Sequence, residues 1–107
     1  LVKQGDIIMV NFDPTSGHEQ RGYRPALIVS NNDFNRINNG LVKVVPITTN
    51  MKEFPLHIEL PEGLAVYGKA LLEHERSIDI SSRSYKIVDT VPSDFLQEIL
   101  ELISFTY

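Results

Sequence analysis

Cysteine is absent from the 107 residues. Its absence removes disulfides, thiolate nucleophiles and cysteine-based metal sites together, and fits a reducing, cytoplasmic setting. No apolar run approaches the roughly 20 residues that a membrane-spanning helix needs, so no membrane association is expected. The opening LVKQGDIIMV puts a charge and a glycine where an export signal needs an apolar core, so no such signal is expected either. Repeats, linkers and low-complexity tracts are missing as well. Basic charge is scarce: 10 Lys and Arg stand against 14 Asp and Glu, a net −4. Broad nucleic-acid binding usually rests on basic surfaces, so only a local basic cleft is open to that role. Arg21, Arg24 and Arg36 lie close together where acids are sparse, while Glu73, Glu75, Asp79, Asp89, Asp94, Glu98 and Glu101 crowd the C-terminal third.

What is present reads as one globular domain over 1–107, with 42% hydrophobic and 22% charged residues. Residues 6–12, DIIMVNF, form a short β-branched run that predicts a buried strand. Residues 13–17 are turn chemistry, and 26–30, ALIVS, predict a second strand stopped by the polar NNDFN. Asn38-Asn39-Gly40 signals a turn before a third strand at 41–47, LVKVVPI. Pro46 lacks an N–H, so it is expected at an edge or bulge. Residues 56–60, LHIEL, alternate, with His57 and Glu59 turned away from the apolar side, and His57 is expected to be exposed. Further short strands are expected at 69–72 and 85–88. Only the end reads as a long helix: Pro92 and Asp94 suit its first turn, and Phe95, Leu96, Ile99, Leu100, Leu102 and Ile103 share one face. The sum is five or six short strands in a curved antiparallel sheet, closed or nearly so, with a terminal helix.

The chemistry concentrates in residues 17–25, GHEQRGYRP. Glycines at 17 and 22 relax the backbone, and Pro25 biases Arg24 towards extended geometry. Arg24 is thereby aimed at the mouth of the ALIVS strand. Its planar fork suits a phosphate, and its charge is permanent. His18 and Glu19 are the neighbours able to exchange protons. A solvated turn with Glu19 paired to an arginine is the competing reading. Thr48 and Thr49, in PITTN, can donate to a phosphate oxygen or merely end the strand. The three histidines, His18, His57 and His74, are scattered, without the paired spacing of a metal site, so no metal and no other cofactor is expected. There is no G-x-S-x-G turn and no P-loop. Arginine, carboxylate, histidine and threonine suit metal-free cleavage of a phosphodiester in which a ribose 2′-hydroxyl attacks the adjacent phosphate.

The string GD, a strand, D-P-x-x-G-x-E-Q-x-G-x-R-P and a second strand ending in S-N closely resembles the opening of the MazF/PemK toxin endoribonucleases. VVPIT at 44–48, GKALLEHERSID at 68–79 and VPSDFLQEILELI at 91–103 extend the resemblance over nearly the whole chain. The resemblance implies a small SH3-like curved antiparallel barrel with a C-terminal helix, acting as a homodimer. It implies sequence-specific, metal-independent cleavage of single-stranded RNA, chiefly mRNA, and an antitoxin whose disordered acidic tail occupies the RNA groove. By position it makes Arg24 and Thr48 catalytic, puts Glu19 in the pair that helps shape the site and matches His18 to the histidine of some members; either Glu19 or His18 is expected to be the base. Gln20 helps shape the site, and Thr49, Glu73, His74 and Arg76 are expected near the RNA. Many members carry Asp-Gln where this chain has Glu73-His74, so base preference does not transfer.

Two alternatives belong beside this one. The same architecture serves CcdB-type toxins that poison DNA gyrase, and an inactive relative would bind RNA or antitoxin without cutting. Neither needs an arginine–threonine–acid cluster.

Overall fold

The computed structural model describes residues 1–12 and 22–107. The elements run β1 (Asp6–Asn11), β2 (Tyr23–Ile28), α1 (Asn32–Ile37), β3 (Leu41–Thr48), β4 (His57–Glu59), β5 (Lys69–Leu71), β6 (Arg76–Asp79), β7 (Tyr85–Thr90) and α2 (Ser93–Ser104). Single 3₁₀ turns at Leu72–His74 and Ile80–Ser82 follow β5 and β6. The seven strands form one sheet in the order β4-β5-β3-β2-β1-β7, with β6 also paired to β3. All the pairings are antiparallel. Among the described residues β4 and β7 are edges that do not meet, so the sheet is open where a closed or nearly closed one was expected.

Alternation along the strands builds two cores. Ile7, Leu27, Val29, Val45, Ile47, Ala70 and Leu72 turn to one face, where Phe95, Ile99 and Ile103 of α2 cover them. Burying each of those three helix side chains contributes about 2 kcal/mol. Their spacing places them on one stripe of α2, as the sequence predicted. Ile8, Val10, Ala26, Ile28, Val42, Val44, Ile78 and Ile80 turn to the other face and pack together with Val2. Asp6, at the start of β1, is buried because both its oxygens are used: one accepts from the Lys3 amide at 2.9 Å, the other from the Thr90 hydroxyl at 2.9 Å.

Two elements lie where no element was predicted. The polar NNDFN, taken as a mere stop, opens α1: the Asn31 side chain accepts from the Phe34 amide at 2.8 Å and caps it. Ser30 and Asn35 are buried and bonded to each other, and the Ser30 hydroxyl also accepts from the Lys43 amide at 2.9 Å. β6 was missed because only Ile78 of its four residues is buried.

Pro46 corrects an expectation in part. It is not at a sheet edge, since β3 is an interior strand. It sits where β3 changes partner, between Val44, opposite Arg76, and Ile47, opposite Ala70. The chain makes its 3₁₀ turn across that gap, so a residue without an N–H breaks no ladder there.

Candidate active site

Directly paired residues of a sheet share a face, and successive residues alternate. This rule assigns Arg24, Thr48 and Arg76, among the predicted site residues, to one side. Arg24 pairs with Val10, whose face is the one away from α2. Thr48 pairs with Lys69, one step from Ile47 and Ala70 on the α2 side, so both take the opposite face. Arg76 pairs with Val44, and Glu59 pairs with Lys69, on that same face.

The last pair between β2 and β3 is Ala26 with Pro46. Arg24 and Thr48 each lie two residues beyond that pair, on the face that Ala26 shares. Arg24 is exposed and Thr48 half-buried. The Thr48 hydroxyl accepts from the Asn50 amide at 3.1 Å, which leaves its own proton as a donor. Thr49, next along, is exposed.

Glu73 and His74 lie in the 3₁₀ turn after β5. Glu73 accepts a short bond from the His57 ring, Nε2 to Oε2, at 2.6 Å, and its oxygen is 3.7 Å from His74 Nε2. The prediction that His57 is exposed is therefore corrected. Its side chain is only 17% exposed, Phe54 packs on the ring at 4.8 Å between centroids, and Nδ1 is buried without a partner among the described residues. Register explains this: β4 pairs with β5, which feeds the turn carrying Glu73. No local pattern in the sequence announces a contact 16 residues apart.

Arg76 is exposed, with its guanidinium 5.3 Å from the centre of the Phe12 ring. Arg83 was not singled out from the sequence. Its guanidinium donates to the carbonyls of Asn11 at 3.2 Å and Phe12 at 2.8 Å, tying down the end of β1 where residue 13 begins. His18, Glu19 and Gln20 lie outside the described residues. Among the described residues, no three histidine, aspartate or glutamate side chains come together as a metal-holding group. No helix among them is long and apolar enough to cross a membrane.

The family model for the "PemK-like, MazF-like toxin of type II toxin-antitoxin system" matches residues 3–106. The chain belongs to this PemK/MazF toxin family. It is 34% identical over 108 residues to endoribonuclease PemK of Escherichia coli, covering 96% of this chain and 80% of that protein. It is 39% identical over 95 residues to the endoribonuclease toxin MazF of Escherichia coli K12, covering 89% and 84%. In three dimensions it is similar to MazF of Deinococcus radiodurans, with a TM-score of 0.84, 35% identity and coverage of 99% and 96%. A MazE–MazF complex from the same organism matches with a TM-score of 0.84 at 30% identity, covering 99% and 94%. These solved PemK/MazF relatives share the mostly antiparallel sheet and terminal helix. The relatives named here are endoribonucleases or MazF toxins, so the gyrase-poison alternative is not favoured.

Proposed function

We propose that the chain, as a single toxin domain over 1–107, is a sequence-specific endoribonuclease that cuts single-stranded RNA without a metal. The observation that supports the reading is that Arg24, opposite Val10, and Thr48, opposite Lys69, lie on one face of the sheet in a PemK/MazF chain. The 2′-oxygen attacks the adjacent phosphorus, the bond from phosphorus to the 5′-oxygen breaks, and a 2′,3′-cyclic phosphate and a 5′-hydroxyl result. Glu19 or His18 takes the 2′ proton. Arg24 stabilises the charge growing on the phosphoryl oxygens and on the leaving oxygen, which takes its proton from solvent, and Thr48 donates a hydrogen bond to a phosphoryl oxygen. Gln20, Thr49, Glu73, His74 and Arg76 contact the RNA on either side.

The protein acts in the cytoplasm, chiefly on mRNA, as a homodimer. An antitoxin with a disordered acidic tail restrains it. Support for the antitoxin comes from the solved complex of MazE with MazF. An acidic tail suits a face that carries the exposed Arg24 and Arg76 on a protein of net charge −4.

The test is incubation of purified protein with a long single-stranded RNA in EDTA, followed by sequencing of the new ends. Cuts at a defined sequence with 5′-hydroxyl ends are expected, and Arg24→Ala or Thr48→Ala should abolish them while the fold persists. Full-rate cutting by Arg24→Ala would overturn the site, and no cutting by the wild type would overturn the activity.

A further inference from the structure

Lys69 is a buried cation that the reading above leaves without a task. It is 5% exposed. Its amine lies 3.4 Å from the Met51 carbonyl, 3.5 Å from the Lys52 carbonyl and 3.6 Å from a Glu53 carboxylate oxygen. Ordinary N–H···O bonds run to about 3.2 Å, and a buried ammonium is costly unless it is closely paired. An apolar side chain of the same length would fill the space without that cost. What the charge adds is direction, because all three acceptors belong to consecutive residues of the β3–β4 connection.

Two further observations link this connection to Thr48. Lys69 is the direct cross-strand partner of Thr48. The preceding Gly68 has φ +136° and packs so closely that a Cβ there would run into the Thr48 carbonyl oxygen. The connection also returns to Thr48 by hydrogen bonds. The Lys52 amide donates to the Asn50 side chain at 3.1 Å, and the Asn50 amide donates to the Thr48 hydroxyl at 3.1 Å.

We propose that Lys69 is a positioning residue for RNA cleavage. Its ammonium clamps residues 51–53 against the sheet. Through Asn50 the clamp fixes the Thr48 hydroxyl so that its proton points to the phosphoryl oxygen. Lys69 itself does not touch the RNA. The inference rests on the reading of Thr48 given above.

The test compares Lys69→Met, Lys69→Arg and Thr48→Val on a single-stranded RNA carrying one mapped cleavage site. Lys69→Met keeps the stem and removes the charge. Its kcat should fall roughly 10- to 100-fold, as a misplaced reacting group does. Its KM should stay within about twofold of wild type, since RNA contacts are untouched. Its Tm should not fall, because replacing a buried charge by an apolar side chain is often neutral or stabilising. Lys69→Arg, still cationic, should restore most of the rate. Wild-type kcat in Lys69→Met overturns the proposal. So does a loss confined to KM, or a loss that follows a lowered Tm and is not relieved by arginine. Thr48→Val separates the two layers. If it is slow while Lys69→Met is fast, only the clamp is rejected; if it cuts at the wild-type rate, the Thr48 reading goes as well.

Discussion

One face of the sheet is closed with hydrocarbon, and the other carries charge and hydroxyls at its end. Both are built from alternate residues of the same strands. Ile47 and Ala70 turn to α2, while Thr48 and Lys69, one step along, turn to the site. A single residue along β3 therefore separates packing from chemistry. The site residues at the end of that face and the buried residues under α2 should answer mutation differently: loss of activity at constant stability for the first, loss of stability for the second.

The largest expected effect is on the site face. Arg24→Ala should slow RNA cleavage by about 1,000-fold or more, the scale for losing a preorganised transition-state donor, with urea denaturation unchanged. The reverse case is Ile99→Ala in the fully buried stripe of α2. It should cost about 3 kcal/mol of unfolding free energy, with cleavage intact at temperatures where the fold survives. Gly68→Ala blurs the division, because the residue sits at positive φ against the Thr48 backbone. It should cost about 2 kcal/mol and lower the cleavage rate together with stability, which a comparison of Tm with kcat would reveal.

The smallest effect is acid sensitivity away from the site. Asp79 is held below its ordinary pKa by the Ser81 hydroxyl and amide, with a further contribution from Arg83. Asp89 is held low by the amides of Ala65 and Thr90. A carboxyl lowered on folding stabilises the fold above its unfolded pKa, and that stability is lost as pH falls through the folded one. The wild type should therefore lose Tm below about pH 3.8, the ordinary value for both groups, and a double Asp79→Asn, Asp89→Asn variant should lose less over the same range. Equal slopes would show that these bonds do not contribute.

Much of this division is legible in the sequence. The apolar runs DIIMVNF, ALIVS and LVKVVPI and the alternating LHIEL appear within a few residues of their predicted places, as does α2. Their pattern is strong because each buries its apolar residues against a core. α1 and β6 were hidden because their hold is not hydrophobic patterning. α1 depends on an Asn31 cap and the Ser30–Asn35 pair, and β6 depends on β3 for its partner. The site was only partly visible. Arg24 and Thr48 carry recognisable neighbours, but the His57–Glu73 bond and the burial of Lys69 follow from strand register. Lys69 reads in the sequence as an ordinary polar strand start. His18, Glu19 and Gln20, though prominent in the sequence, lie outside the described residues.

The most direct measurement is the single-turnover cleavage rate of Thr48→Val on a long single-stranded RNA, taken with its melting temperature. The account predicts a rate lower by about 100-fold or more, the scale for one lost phosphoryl donor, at a melting temperature equal to wild type. Cleavage at the wild-type rate would contradict it, because the residue one step from the core would then carry no chemistry.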